Sequence, residues 1–268
     1  MLEFLVDIDP DRDDTALLRF AFALARQHGA RLTGLQVVML SPTAMLAMPD
    51  AMLVLDEQEQ AALGRRDWWR ELCRGHGVEG GWEAYRGFYE AVLSRRASFA
   101  DFVLGRLSRE TARLASGFNP LGRVLSTDAA PMLLVPEHWP GKDGVRKVAI
   151  AWNGSTEAAR AIRAAAPLLL RADEIVVLDG ASRVRANARR IPLALDHWLE
   201  RHALQAHWEI LDEEDDNGQS LHNRASGRGA DLLVMGAWGH SRANEWLLGG
   251  ATRYLLQHSE VPLLVVEA

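Results

Sequence analysis

The chain repeats one pattern of apolar and amphipathic segments in its two halves, and this repeat limits the folds open to it. The first half begins with an apolar run, an amphipathic stretch and a second apolar run, at residues 2–9, 15–28 and 31–38. The second half shows the same order at residues 147–152, 156–171 and 174–178. A repeat of this length predicts two copies of one structural unit, each with its own core.

Each copy is expected to be an α/β unit with a parallel sheet. The strand segments are continuous apolar runs, as in strands that helices cover on both faces. Strands that alternate with helices indicate right-handed crossovers. We therefore expect two Rossmann-like (adenine nucleotide alpha hydrolase-like) domains, at residues 1–138 and 145–268, each a five-stranded parallel sheet of order 3-2-1-4-5 with helices on both faces. The segment at 136–144, rich in Pro and Gly, is the expected connector.

Composition excludes several classes of protein. The chain is 48% hydrophobic and 25% charged, and no stretch approaches the roughly 18 apolar residues of a membrane span. The N-terminal segment turns acidic at once and is unlike a secretory signal. A single cysteine, Cys73, excludes an internal disulfide, and a net charge of −6 argues against general nucleic-acid binding. We expect a cytoplasmic protein with no nucleic-acid or membrane partner.

A glycine-rich segment follows the fourth predicted strand of the second half. Gly236, Gly239, Gly249 and Gly250 form the pattern G-x2-G-x9-G-G-x-T, which ends at Thr252. Glycines after a strand let backbone N–H groups approach a phosphate, and a helix N-terminus attracts anions. Thr252 can add a hydroxyl donor. The pattern predicts a phosphate-binding loop.

Four other side chains lie in this loop. Trp238 is placed to stack on an adenine or to close the pocket, and His240 to meet a ligand phosphate. Ser241 or Arg242 can contact a second phosphate. The packing alternative is that the glycines only allow the last helix to approach the sheet closely.

At this motif the sequence resembles the universal stress protein family, whose nucleotide-binding signature is G-x2-G-x9-G followed by Ser or Thr. The resemblance covers both halves, because the strand before Asn153-Gly154-Ser155 is similar to the family's opening strand and its Asp-Gly-Ser turn. It implies a tandem member that acts in the stress response and binds ATP, or AMP or ADP, with Mg²⁺ as an accompanying ion. It also implies a base near Ala151 and Asn153, and at most slow ATP hydrolysis.

Two residues depart from the family pattern. Gly250 stands where nucleotide-binding members carry Ser or Thr, and Asn153 stands where they carry an Asp that contacts adenine. The departures remove one hydroxyl donor and one charge. They keep open a second hypothesis, in which the protein is a nucleotide-free interaction or scaffold module of the same fold.

The first half resembles the pattern less, and we interpret it as a degenerate copy. Ser108 replaces the second glycine, and Pro120 disturbs the entry to the following helix. Asp9 occupies the acidic position after strand one, and Asp7 lies two residues before it. For both carboxylates we favour capping and loop solvation over ligand binding.

No catalytic or metal-binding residue is expected. Neither a G-x-S-x-G elbow nor a P-loop occurs, and His197, His202 and His207 are spaced by five, off a common helical face. The Met-rich segment at 41–64 is expected to be a mobile flap or an interface element. In single-domain relatives two copies pair through the last strand, so residues 131–135 and 262–266 are expected to pair as an internal pseudo-dimer, and a homodimer of the whole chain is left open.

Overall fold

The computed structural model describes residues 1–11, 15–39, 50–107, 130–180, 194–211, 218–237 and 250–266. The strands are β1 (Glu3–Asp7), β2 (Arg31–Val38), β3 (Gly80–Arg86), β4 (Phe102–Leu107), β5 (Met132–Pro136), β6 (Lys147–Trp152), β7 (Glu174–Asp179), β8 (His207–Ile210), β9 (Leu232–Gly236) and β10 (Leu263–Val266). The helices in these ranges are α1 (Thr15–His28), α2 (Ala51–Gly64), α3 (Arg66–His76), α4 (Tyr89–Ala97), α5 (Thr156–Ala164), α6 (Ala166–Leu169), α7 (Leu195–Arg201), α8 (Gly218–Gly227) and α9 (Gly250–His258).

The strands form one continuous sheet of order β3-β2-β1-β4-β5-β10-β9-β6-β7-β8. Neighbours within each half are parallel, and counted within its own half each order is 3-2-1-4-5. The predicted α/β fold is confirmed. The two halves nevertheless share one sheet rather than holding separate ones, because β5 and β10 pair antiparallel and so satisfy the backbone groups of each other's edge.

The pairing of β5 with β10 is the contact expected between residues 131–135 and 262–266. Leu134 lies opposite Leu263 in this antiparallel ladder. Pro131 and Pro262 each stand one residue before their strand, where a missing N–H removes no ladder bond. Their carbonyl oxygens accept equivalent hydrogen bonds from Val103 N (2.9 Å) and Leu233 N (2.8 Å).

An aspartate at the start of the fourth strand has the same role in both halves. Asp101 Oδ2 accepts a hydrogen bond from Glu3 N at 2.7 Å, where β1 begins. Asp231 Oδ2 accepts bonds from Arg146 N and Lys147 N, at 2.9 and 2.8 Å, where β6 begins. The carboxylates satisfy backbone donors that the ladder leaves free at the strand start. The repeat in the sequence is therefore also a repeat of hydrogen bonds.

Helices cover both faces of the sheet. On one face α1, α3 and α6 bury Phe20, Trp69 and Leu168, and on the other α4 and α9 bury Leu93 and Leu255. Burial of each such side chain stabilises the fold by about 1.5–3 kcal/mol. This layering agrees with the continuous apolar strands of the sequence. No helix in the described ranges is both long and apolar enough to cross a lipid bilayer.

Two segments differ from the expectation. The helix predicted at 156–171 is divided at Ala165, because Pro167 has no N–H to donate to the carbonyl of Arg163. The segment at 41–64 was expected to be a mobile flap or an interface element. Its second part, residues 51–64, forms the regular helix α2, which packs Leu55 against Val38 of β2, and the interface role stays a prediction. Residues 41–49 lie outside the described ranges.

Candidate functional site

The carboxyl ends of β6 and β9 lie side by side in the C-terminal half. Ile150 of β6 pairs with Val234 of β9, so the chain leaves both strands at the same edge of the sheet. From here β6 leads to β7 on one side and β9 leads to β10 on the other. In open parallel sheets, ligands bind at such a reversal of strand order.

The turn between β6 and α5 is closed by its own side chains. Asn153 Oδ1 accepts a hydrogen bond from Ser155 N at 3.1 Å, and Gly154 between them has a φ of +73°. Ser155 in turn caps α5, because its hydroxyl accepts a bond from Ala158 N at 3.1 Å. An Asn oxygen bonded two residues further on is typical of an Asx turn. Asn153 therefore shapes the start of α5 through its oxygen.

Gly236 lies where the end of β9 passes the first turn of α5. A Cβ built on Gly236 would stand 2.5 Å from both the backbone N of Ala158 and the backbone C of Glu157. Backbone atoms so close cannot move aside as a flexible side chain would, so only glycine fits here. Packing therefore explains this glycine, although the helix concerned is α5 and not the last helix.

At the start of α9, by contrast with Gly236, the described residues leave the glycine uncrowded. No heavy atom of the described chain lies within 4 Å of a Cβ built on Gly250, the first residue of α9. The next two residues of the helix are packed, because Thr252 is only 5% exposed and the Ala251 carbonyl oxygen lies 2.6 Å from a Cβ built on Gly218 of α8. The first N–H groups of a helix have no intrahelical acceptor and favour anions. Among the described residues, none occupies the space beside the backbone of Gly250.

The structure describes five of the predicted binding residues: Ala151, Asn153, Gly236, Gly250 and Thr252. Ala151 packs against the apolar cluster on the face of α8 and α9. The remaining ones lie outside the described residues, and their predicted roles stay predictions: Trp238, Gly239, His240, Ser241, Arg242 and Gly249.

At the equivalent edge of the N-terminal half, several described polar side chains contact one another and the nearby backbone. The Tyr89 hydroxyl, at the start of α4, donates a hydrogen bond to Asp7 Oδ2. Asp9 Oδ1 accepts a bond from Asp11 N at 3.0 Å, and Arg106 Nη1 lies 3.8 Å from Asp9 Oδ2. Asp9 thus has the local loop contact expected of it, together with a contact to a distant arginine, while its role in capping stays a prediction. Asp7 is different from the expectation, because its carboxylate is bonded by a side chain 82 residues away.

Burial raises the pKa of Asp7 to about 6. The charge of Asp9 acts in the same direction, while the Tyr89 hydrogen bond and the Arg106 charge oppose it. Burial and the neighbouring Asp7 raise the pKa of Tyr89 well above its usual value. The sequence carried no signal for this pair, because nothing in a local pattern connects residues so far apart.

No metal or nucleophile site emerges from the described residues. They contain no group of three or more His, Cys, Asp or Glu side chains placed to hold a metal ion. His202 Nδ1 lies 2.8 Å from the Trp198 carbonyl oxygen, and the two rings stack. Burial raises the pKa of the Cys73 thiol to about 11, which leaves it protonated and unreactive near neutral pH.

Two α/β repeats joined through their last strands, with two helix N-termini at one strand reversal, define a tandem Rossmann-like protein with a candidate anion-binding edge. The profile of the universal stress protein family matches residues 3–97 and 144–267. The chain therefore belongs to the universal stress protein family.

Known relatives agree with this assignment. Universal stress protein Slr1230 of Synechocystis is 24% identical over 173 residues, which cover 63% of this chain and 58% of that protein. The crystal structure of a universal stress protein from Archaeoglobus fulgidus superposes with a TM-score of 0.75 at 13% identity, covering 99% of this chain and 96% of its own. A protein of unknown function from Pseudomonas aeruginosa superposes with a TM-score of 0.60 at 15% identity, covering 99% and 92%. These structural likenesses show the fold.

Proposed function

We propose that this universal stress protein binds ATP, or AMP or ADP, in its C-terminal half and acts in the stress response through nucleotide-dependent switching. The observation that carries the proposal is the environment of Gly250. Packing explains Gly236, whereas no described atom lies within 4 Å of a Cβ built on Gly250, so the described residues leave the backbone of α9 accessible there. An anion can approach these N–H groups, although Gly250 itself lacks the hydroxyl that nucleotide-binding members carry.

The proposal assigns the phosphates to the start of α9 and the base to the turn after β6. Helix N-termini bind phosphate because their free N–H groups point at the anion. The oxygen of Asn153 is engaged with Ser155, so its amide nitrogen is the group offered to a base edge. Mg²⁺ would accompany the phosphates, and hydrolysis would be slow at most, as the family resemblance implies.

The nucleotide-free alternative is favoured by a different observation. Gly236, the first glycine of the motif, is required by α5, and Asn153 Oδ1 is satisfied within its own turn. Both residues can therefore be retained for folding alone. On this reading the tandem is a scaffold whose loop no longer holds a ligand.

Thermal unfolding with and without Mg²⁺-ATP or AMP separates the two functions. A nucleotide at 100 times its dissociation constant stabilises the native state by about 2.7 kcal/mol. We expect this shift for the wild-type chain and for Gly250→Ala, which places a small neutral group in open space. Gly250→Asp should abolish it, because a carboxylate at a helix start stabilises the helix but repels phosphate.

A matched pair makes the result easy to interpret. The side chains of Gly250→Asn and Gly250→Asp have nearly the same size, so a difference between these two variants reports charge rather than bulk. Absence of any shift in the wild type at millimolar nucleotide rejects nucleotide binding and leaves the scaffold function. An equal shift in the wild type and in Gly250→Asp rejects the start of α9 as the phosphate site.

A further inference from the structure

A polar groove of about 640 Å³ lies where the N-terminal half meets the C-terminal half. Its walls come from the end of α1, from the connector that runs into β6, and from the residues that follow α6. The lining residues are Ala23, Arg26, Gln27, Asp143, Arg146 and Arg171. Three arginines from three separate segments therefore line one space.

Two of these arginines have partners that a ligand can replace. Arg146 Nη1 lies 3.1 Å from Asp173 Oδ2, with side chains 60% and 64% exposed. Arg26 Nη2 lies 3.9 Å from Asp143 Oδ1, and the Asp143 side chain is fully exposed. Exposed ion pairs contribute little and break easily. Both guanidinium groups can therefore turn to an anion in the groove.

The third arginine is held in place. Arg171 Nη1 donates a hydrogen bond to the Gln27 carbonyl oxygen at the end of α1. Its charge also acts beyond the groove, since it adds to burial in lowering the pKa of the neighbouring His28. A fixed cation flanked by two adjustable ones suits a ligand with more than one negative group.

The charge of this groove contrasts with that of the whole chain. Three arginines line it against a single lining carboxylate, Asp143, and Asp173 at its margin is the other acid paired here. The chain as a whole carries a net charge of −6. A local positive excess in an acidic protein concentrates small anions at that place.

The groove is separate from the proposed nucleotide site. Arg146 immediately precedes β6, whereas Asn153 immediately follows it. At about 3.3 Å per residue, the two ends of this six-residue strand are roughly 20 Å apart. A ligand at one end does not touch residues at the other.

We propose that the groove between α1, the connector and Arg171 binds a small multivalent anion, with Arg26, Arg146 and Arg171 contacting its phosphate or carboxylate groups. Guanidinium groups bind both kinds of oxyanion in a bidentate manner. The proposal does not depend on nucleotide binding at α9.

Isothermal titration calorimetry at constant ionic strength, with pyrophosphate and citrate as probes, tests the proposal. The double variant Arg26→Gln/Arg146→Gln should weaken binding by at least about tenfold, from the strength of hydrogen bonds to charged groups. The control is Arg70→Gln on α3, whose side chain is 61% exposed and paired with Asp67. The Arg70 side chain is as exposed as that of Arg146 and is likewise paired with an aspartate, so the Arg70→Gln variant should leave anion binding unchanged.

The outcomes show which class of anion binds and whether it binds in the groove or at the start of α9. Binding of pyrophosphate alone supports a phosphate-bearing ligand, and binding of both probes supports multivalent anions in general. Gly250→Asp should leave this binding intact whether or not the chain binds nucleotide. The proposal is overturned if neither probe binds, or if Arg70→Gln weakens binding as much as the double variant does. It is also overturned if Gly250→Asp loses binding while the double variant keeps it.

Discussion

The side chain of Gln27 forms a reciprocal pair of hydrogen bonds with the backbone of Val145. Its Oε1 accepts from Val145 N and its Nε2 donates to the Val145 carbonyl oxygen, both at 2.8 Å. Val145 is fully buried and lies 118 residues further along the chain. A side-chain amide thus replaces a strand neighbour for the residue that leads into β6. The end of α1 and the start of the C-terminal half are held together by this contact.

Replacement of Gln27 by Leu should destabilise the protein by about 1–3 kcal/mol, because it leaves the buried N–H and C=O of Val145 without partners. Chemical unfolding monitored by circular dichroism measures the change. Gln60→Leu on the exposed side of α2 is the control and should stay within about 0.5 kcal/mol of the wild type. Similar stabilities for the two variants would contradict the role given to Gln27.

Gly236→Ala and Gly250→Ala should have opposite effects on stability. The first places a methyl group 2.5 Å from backbone atoms of α5 and should cost about 1–3 kcal/mol. The second meets no described atom within 4 Å and should be neutral or stabilise by up to about 1 kcal/mol. Thermal unfolding of both variants without ligand provides the measurement. Equal losses would refute the close contact of β9 with α5.

His28 should make the protein less stable as the pH falls below 7. Burial, with the charge of Arg171, lowers its pKa to about 4, while the unfolded side chain keeps a value near 6.5. The unfolded state therefore binds a proton first, and stability is lost from about pH 6.5 down to about pH 4. Between pH 7 and pH 5 the wild type should lose up to about 2 kcal/mol more than His28→Gln. Parallel pH curves for the two proteins would be evidence against this prediction.

Asp7 should make the protein less stable as the pH rises, which is the opposite of the effect of His28. Its pKa of about 6 in the folded state lies above the ordinary value of 3.8, so the native state holds the proton longer than the unfolded state. Its contribution to stability is complete below about pH 4 and is lost as the pH rises through 6. From pH 4 to pH 7 the wild type should lose about 2 kcal/mol that Asp7→Asn does not lose.

Tyr89→Phe provides the control for this carboxylate. The hydrogen bond from Tyr89 lowers the pKa of Asp7, so its removal should raise that pKa and move the loss of stability to higher pH. Carboxyl chemical shifts measured by NMR report the titration directly. An unchanged Asp7 titration in Tyr89→Phe would show that the hydrogen bond does not affect the carboxylate.

The apolar pattern of the sequence was enough to predict several helices and strands. The helix at 15–28 and the strands at 31–38 and 147–152 have the predicted bounds. The helix has one apolar face, and the strands are apolar on both faces, so each pattern is readable from neighbouring residues. The division of the helix at Ala165 was missed although Pro167 signals it, since the amphipathic pattern continues across the break. For the candidate site, the sequence pointed to the carboxyl ends of β6 and β9, which lie side by side in the structure. It did not separate Gly236, which packing against α5 requires, from Gly250, which no described residue crowds.

The sequence by itself determined the two-fold repeat, the parallel α/β units and the glycine pattern, because each depends on residues close together in the chain. The pairing of β5 with β10 was expected from the family resemblance, and the structure shows it. Only the tertiary structure decided that Tyr89 covers Asp7 and that Gln27 binds Val145. It also brought Arg26 and Arg171 to one groove. These contacts join residues some 80 to 145 positions apart. Their partners are selected by how the helices pack on the sheet, and no local pattern of side chains encodes that packing.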